Sequence, residues 1–182
     1  LIGVVTFFFF RYLGPTLFGS NMQRIGVTGR YQTETLPIEI LSQISDGLTM
    51  VNKEGLVEPA IAKSWETPDG GKTWIFHLNE DIKWQNGETV TSEDISYNFS
   101  DVEIEKQDAN TITFVLKEPF SPFPSVVSRP VFKKGLLGTG EWRVTNASIS
   151  GNYVQRLVLQ NSQKQKVIFK FYPTEERAKL AY

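Results

Sequence analysis

Cysteine is absent from this 182-residue chain, and histidine occurs once, at His77. The lack of cysteine excludes disulfides, thiol nucleophiles, cysteine metal sites and a lipid-modified cysteine tether. A lone histidine with no cysteine cannot build a strong metal site. Asp101, Glu103 and Glu105 alternate on one expected strand and read as a solvated face rather than a cation site. An excess of one charge is lacking too. Lys and Arg number 19 against 20 Asp and Glu, a net charge of −1, which gives no electrostatic reason to expect nucleic acid as a partner. No Gly-x-Ser-x-Gly elbow and no His-Glu-x-x-His helix occurs, and nothing resembles a phosphate loop. Neither enzymatic chemistry nor a bound cofactor or metal is expected. What the chain does have is a 40% hydrophobic share, a 21% charged share and 13% aromatics, enough for a folded domain with a core.

An apolar run opens the chain. Leu1 to Phe10 is apolar apart from Thr6, Arg11 interrupts it, and Tyr12 to Phe18 is again mostly apolar. A helix over this stretch would span about 27 Å, close to a bilayer core of roughly 30 Å. Two readings remain open: a signal-anchor helix, or the apolar region of a cleaved signal peptide with Gly14, Gly19 and Ser20 near its exit. Either places the rest outside the cytoplasm. The first residue is Leu rather than Met, and Lys179 to Tyr182 fall inside an expected helix, so a longer reading frame is expected.

Period-two alternation dominates the chain beyond this run. Ile25 and Val27 suggest a strand, and Leu36, Ile40, Leu41 and Ile44 fall at helical spacing, with Pro37 in the first turn and Gly47 at the C-terminal cap. Leu48 to Val51 reads as a strand and Asn52 to Gly55 as a turn. Pro59 to Trp65 is expected to form a short helical turn. Asp69 to Lys72 reads as a hairpin turn before a strand in which Trp74, Phe76 and Leu78 alternate with Thr73, Ile75 and His77. Asn86-Gly87 marks another turn. Thr91 and Asp94 match a capping box, predicting a helix with Ile95 and Phe99 on one face. Val102 and Ile104, then Ile112, Phe114 and Leu116, predict a hairpin. Four prolines between Pro119 and Pro130 predict irregular structure. Val154 to Leu159 and Val167 to Tyr172 read as closing strands, and Pro173 to Glu176 as the start of a last helix. The class is mixed α+β, rich in strands.

The stretch from Gly55 to Phe99, GLVEPAIAKSWETPDGGKTWIFHLNEDIKWQNGETVTSEDISYNF, resembles the signature region of the family 5 bacterial extracellular solute-binding proteins, the oligopeptide, dipeptide and nickel binders. The matching pieces are Pro59 to Trp65, Gly70 to Thr73, Trp74 to Leu78, Trp84 to Gly87 and Thr91 to Ile95. Further on, Asp108 to Leu116, Lys117 to Phe123, Gly138-Thr139-Gly140 and Tyr172 to Tyr182 also resemble the family. Glu141-Trp142 departs from the usual Pro-Tyr, and the stretch from Phe99 to Asp101 is shorter than is usual.

The resemblance implies the first lobe, in part, of a two-lobed type II periplasmic-binding-protein fold. Residues 1–20 would be the anchor or signal segment, 21–49 and 135–182 the central subdomain of that lobe, and 50–134 its accessory subdomain. The implied function is capture of oligopeptides at the outer face of the bacterial cell membrane for an ABC-type importer. Implied partners are a peptide ligand, ABC permease subunits and the membrane, the protein itself being a monomer. Alternatives are another solute, such as a sugar oligomer or metal complex, or an anchored sensor or scaffold without transport. The implied ligand segment is Tyr31, Gln32, Thr33 and Glu34, a polar stretch able to line a wet cleft. Gly138, Thr139, Gly140 and Trp142 are the second candidate set, Gly138 to Gly140 through a tight turn in which glycine permits positive φ and close backbone approach, and Trp142 through its size. Trp65, Trp74 and Trp84 are expected to be core residues.

Overall fold

The computed structural model describes residues 22–180. Two separate four-stranded sheets form, each with its own apolar cluster. The first sheet has the order β1-β10-β9-β8, from β1 (Met22–Thr28), β8 (Arg143–Ser150), β9 (Tyr153–Gln160) and β10 (Lys166–Tyr172). β1 runs parallel to β10, and the other two pairings are antiparallel. Alternation in β10 sends Val167, Phe169 and Phe171 to one face, where they meet Val154, Leu157 and Leu159. Helix α1 (Ile38–Ile44) lays Ile40, Leu41 and Ile44 into the same cluster. Seven residues are too few for a helix to stand alone, so burial of that face holds it.

The second sheet has the order β4-β5-β7-β6, from β4 (Ala62–Glu66), β5 (Thr73–Leu78), β6 (Val102–Asp108) and β7 (Thr111–Leu116). Trp74, Phe76 and Leu78 point inward from β5, with Ile112, Phe114 and Leu116 from β7. Phe123, at the start of the single-turn helix α2 (Phe123–Val126), packs against Phe114 with ring centroids 5.3 Å apart. A small pair, β2 (Thr49–Val51) and β3 (Val57–Pro59), bridges toward this sheet, and helix α3 (Glu175–Lys179) follows β10. Trp74 and Trp84 are buried in this second core and Trp65 packs on it, as expected of core tryptophans.

Three expectations change. Pro59 to Trp65 is not a helical turn but the end of β3 and most of β4, because Ala62, Ser64, Trp65 and Glu66 pair with β5. Gly47 does not cap α1. Ser45 does, in extended conformation, and Gly47 lies where a Cβ would stand 2.5 Å from the Val127 carbonyl oxygen. The capping box at Thr91 and Asp94 is present, but it opens only the 3-10 turn Ser92–Asp94. Ile95, Tyr97 and Phe99 then alternate inward with exposed Ser96, Asn98 and Ser100, an extended period of two. Strand β8 had no forecast. It is exposed along nearly its whole length, so no apolar alternation marks it. Among the described residues no helix is long and apolar enough to cross a membrane, and the segment 1–20 lies outside them.

Candidate functional site at the ends of helix α1

The two candidate sets sit at opposite ends of α1. Tyr31 follows the C-terminal end of β1, where its ring meets Phe171 edge-on at 5.7 Å and its hydroxyl donates to Thr28 O at 3.0 Å. The Val154 N–H donates to the Tyr31 carbonyl at 2.9 Å, tying the segment to β9. Thr33–Thr35 forms a 3-10 turn, and the Gln32 N–H donates to Thr35 Oγ1 at 2.9 Å. Gln32 and Glu34 are exposed and Thr33 half-buried, so the turn shows polar side chains to solvent beside the parallel β1–β10 edge. In open parallel sheets ligands bind outside that end of the strands.

The second set closes the other end of α1. The Gly140 N–H donates to Ile44 O at 2.9 Å and the Trp142 N–H to Gln43 O at 3.1 Å. The Thr139 hydroxyl donates to Asp46 Oδ2 at 2.9 Å and accepts from the Asp46 N–H at 3.0 Å. Neither Gly138 nor Gly140 has a positive φ. Glycine is needed here for approach: a Cβ on Gly138 would stand 2.0 Å from Ile44 O. Of the two reasons expected for these glycines, positive φ and close backbone approach, the second holds. Trp142 packs on the first core, and its backbone bond does not depend on the departure from Pro-Tyr.

Sequence reasoning missed Gln85. Its Nε2 donates to Gly140 O and Trp142 O, each at 2.9 Å, and to Ile44 O at 3.1 Å, while its N–H donates to Gly138 O at 2.9 Å. Gln85 comes from the Trp84–Gly87 turn of the second core. It therefore joins the two halves. No local pattern marks such a partner, which lies 55 residues away.

Between α1 and the second core lies a cleft of about 620 Å³, lined by Leu41, Ser42, Asp46, Met50, Val126 and Arg129 among others. None of the eight expected site residues lines it. Gly140 alone of them borders a second hollow of about 380 Å³, beside Gln85, Glu141 and Asn161. The two expected sets are not brought into one pocket. Among the described residues there is also no group of three or more His, Asp or Glu able to hold a metal ion. His77 instead sits 3.5 Å from Glu66, and Asp101 pairs with Lys117 at 2.6 Å.

Residues 57–102 match the profile of the bacterial extracellular solute-binding proteins, family 5 middle region. The match is to this segment of the chain and not to its whole length. The periplasmic oligopeptide-binding protein OppA of Haemophilus influenzae is 40% identical over 68 residues, which cover 37% of this chain and 13% of that protein. Among solved structures, the MppA periplasmic murein tripeptide-binding protein in its unliganded open form superposes with a TM-score of 0.72 at 16% identity, over 90% of this chain and 44% of its own. NikZ of Campylobacter jejuni, in complex with Ni(L-His), gives 0.69 at 17% identity, over 88% and 41%. The fold is that of part of a type II periplasmic binding protein, strand-rich α+β. The chain spans less than half the length of these relatives.

Proposed function

We propose that the protein captures oligopeptides outside the cytoplasmic membrane and delivers them to an ABC-type importer. The chemistry is reversible binding, with no covalent step. The observation that carries the reading is the family 5 match at 57–102, together with 40% identity over 68 residues of the chain to a periplasmic oligopeptide-binding protein OppA. The polar turn at Tyr31 to Glu34, held beside the β1–β10 edge, supports it. A peptide could lie there extended and be met by main-chain groups, which give affinity without sequence selectivity. Gly138 to Trp142 would shape the far end of the same wall rather than touch ligand.

The proposed division has a central subdomain of residues 21–49 and 135–182 and an accessory subdomain of residues 50–134. It is supported by the two apolar clusters, which draw almost entirely on those respective segments. Residues 1–20 would hold a monomeric protein at the membrane, and permease subunits would receive the closed form. Calorimetry of the protein with a mixed tripeptide library tests the central claim. Saturable heat and a rise in melting temperature are expected. Absence of both with every peptide would defeat it. NikZ, solved with a nickel complex, supports a second reading in which the solute is not a peptide, and the same titration with Ni(L-His) decides between them.

A further inference from the structure

Two adjoining hollows lie at the β1–β10 edge and share Gln155, Phe171, Pro173 and Arg177. The smaller, about 200 Å³, is lined by Arg30 and Arg177, and the wider one by Arg156, Lys170 and Arg177. Four cations thus border the two adjoining hollows. Among the described residues none of the four has a carboxylate within 4 Å, although six such ion pairs occur elsewhere. The register of β9 and β10 sets Lys170 directly opposite Arg156. Like charges at that cross-strand spacing, about 5 Å between Cβ atoms, destabilise the pair. An anion between them would relieve the repulsion. Arg30 is held over the Tyr153 ring at 5.8 Å, so its planar donor fork is partly ordered before any ligand arrives.

We propose that these two hollows together form a carboxylate subsite. Arg30 and Arg177 take a carboxylate group of the captured solute through paired N–H donors, and Lys170 and Arg156 supply the surrounding positive field. The inference rests on the solute-capture reading and narrows it to solutes carrying a carboxylate that can reach this edge, acidic peptides among them.

The test has two arms. In the first, glutarate and inorganic phosphate are titrated into the protein while the arginine Nε–Hε resonances are followed by NMR. Saturable shifts of Arg30 and Arg177 with glutarate are expected, lost in R30Q and R177Q and kept in the distant K63Q control. No shift of either resonance, equal loss in K63Q, or phosphate binding tenfold tighter than glutarate would overturn the assignment. The second arm measures binding of Ala-Glu-Ala and Ala-Gln-Ala by calorimetry. A preference of about tenfold for Ala-Glu-Ala, abolished in R30Q with Ala-Gln-Ala unaffected, is expected. Equal affinity of the two peptides would overturn the subsite and leave peptide capture standing. Glutarate binding without any peptide binding would uphold the subsite and defeat peptide capture.

Discussion

The side-chain amide of Gln85 donates to the Gly140 carbonyl at 2.9 Å, across the junction between the two cores. The same nitrogen reaches Ile44 O and Trp142 O. One side chain therefore fixes the end of α1, the Gly138 to Trp142 loop and the Trp84 turn relative to one another. Removing it strands the partly buried Gly140 and Trp142 carbonyls, while Ile44 O keeps the Gly140 N–H, and each unsatisfied polar group costs on the order of 1–3 kcal/mol where water cannot replace the donor.

Gln85→Ala is expected to lower unfolding free energy by about 2–3 kcal/mol, measured by urea denaturation. Gln85→Glu should be worse at neutral pH, because a carboxylate would face three carbonyl oxygens. Protonation restores one donor, so the Glu variant should recover part of its loss at low pH relative to the Ala variant. Wild-type stability in Gln85→Ala would show that the junction is held without the amide.

Gly138→Ala tests the close approach. Its new Cβ would stand 2.0 Å from Ile44 O and 2.7 Å from Ser45 Cβ, contacts that only backbone movement can relieve. A loss of about 3 kcal/mol is expected by thermal or urea unfolding. Gly55→Ala makes the contrast: nothing lies within 4 Å of its Cβ, and the cost there comes only from its φ of 80°. Equal losses at the two positions would rule out packing as the reason for glycine at 138.

The core sheets were readable in the sequence because their strands alternate cleanly, as in Thr73–Leu78 and Thr111–Leu116. The turns between them were readable where Gly70, Gly71 and Gly87 supply positive φ. Strand β8 was not, since an edge strand with Val144 its only half-buried residue carries no periodic signal. The helix expected after Thr91 failed for a different reason. A capping box reports only the first turn, and the alternation of Ile95, Tyr97 and Phe99 was a competing signal that won. Of the candidate site, the segments at Tyr31 and Gly138 are proposed through family resemblance. Gln85, Arg30 and Arg177 are not, because their roles come from chain segments distant in sequence meeting in space.

Tyr97 ties the extended stretch to the second core. Its hydroxyl donates to Val127 O at 2.7 Å and accepts from the Leu48 N–H at 3.2 Å, and its ring stacks on Phe99 with centroids 5.4 Å apart. Burial pushes the phenol well above its ordinary value, so it stays protonated through the alkaline range. Tyr97→Phe keeps the stack and removes the bonds, and a loss of about 1–2 kcal/mol is expected. Tyr97→Leu should cost more, since the ring contacts go as well. If the Phe variant matches wild type in urea unfolding, water or the Leu48–Val127 backbone bond suffices.

Acid should loosen the second core through Asp94. Burial pushes this carboxyl up, but the Lys133 ammonium at 2.9 Å, the Thr91 N–H and the Trp84 indole outweigh it and hold the carboxyl below its ordinary 3.8. A carboxyl depressed on folding stabilises fully above its unfolded value, and that contribution is lost as pH falls through the folded value. The window is therefore from about pH 4 downward. Lys133, held above its ordinary 10.5 by Glu88 and Asp94, contributes with the opposite sign: present below about pH 10, lost as pH rises through its folded value. Asp94→Asn keeps an oxygen for the Thr91 N–H and deletes the charge. It should be less stable than wild type at pH 7 and show a shallower fall between pH 4 and 2 in urea midpoints. Superimposable acid limbs for the two proteins would mean that other carboxylates, Asp69 and Asp101 among them, carry the whole effect.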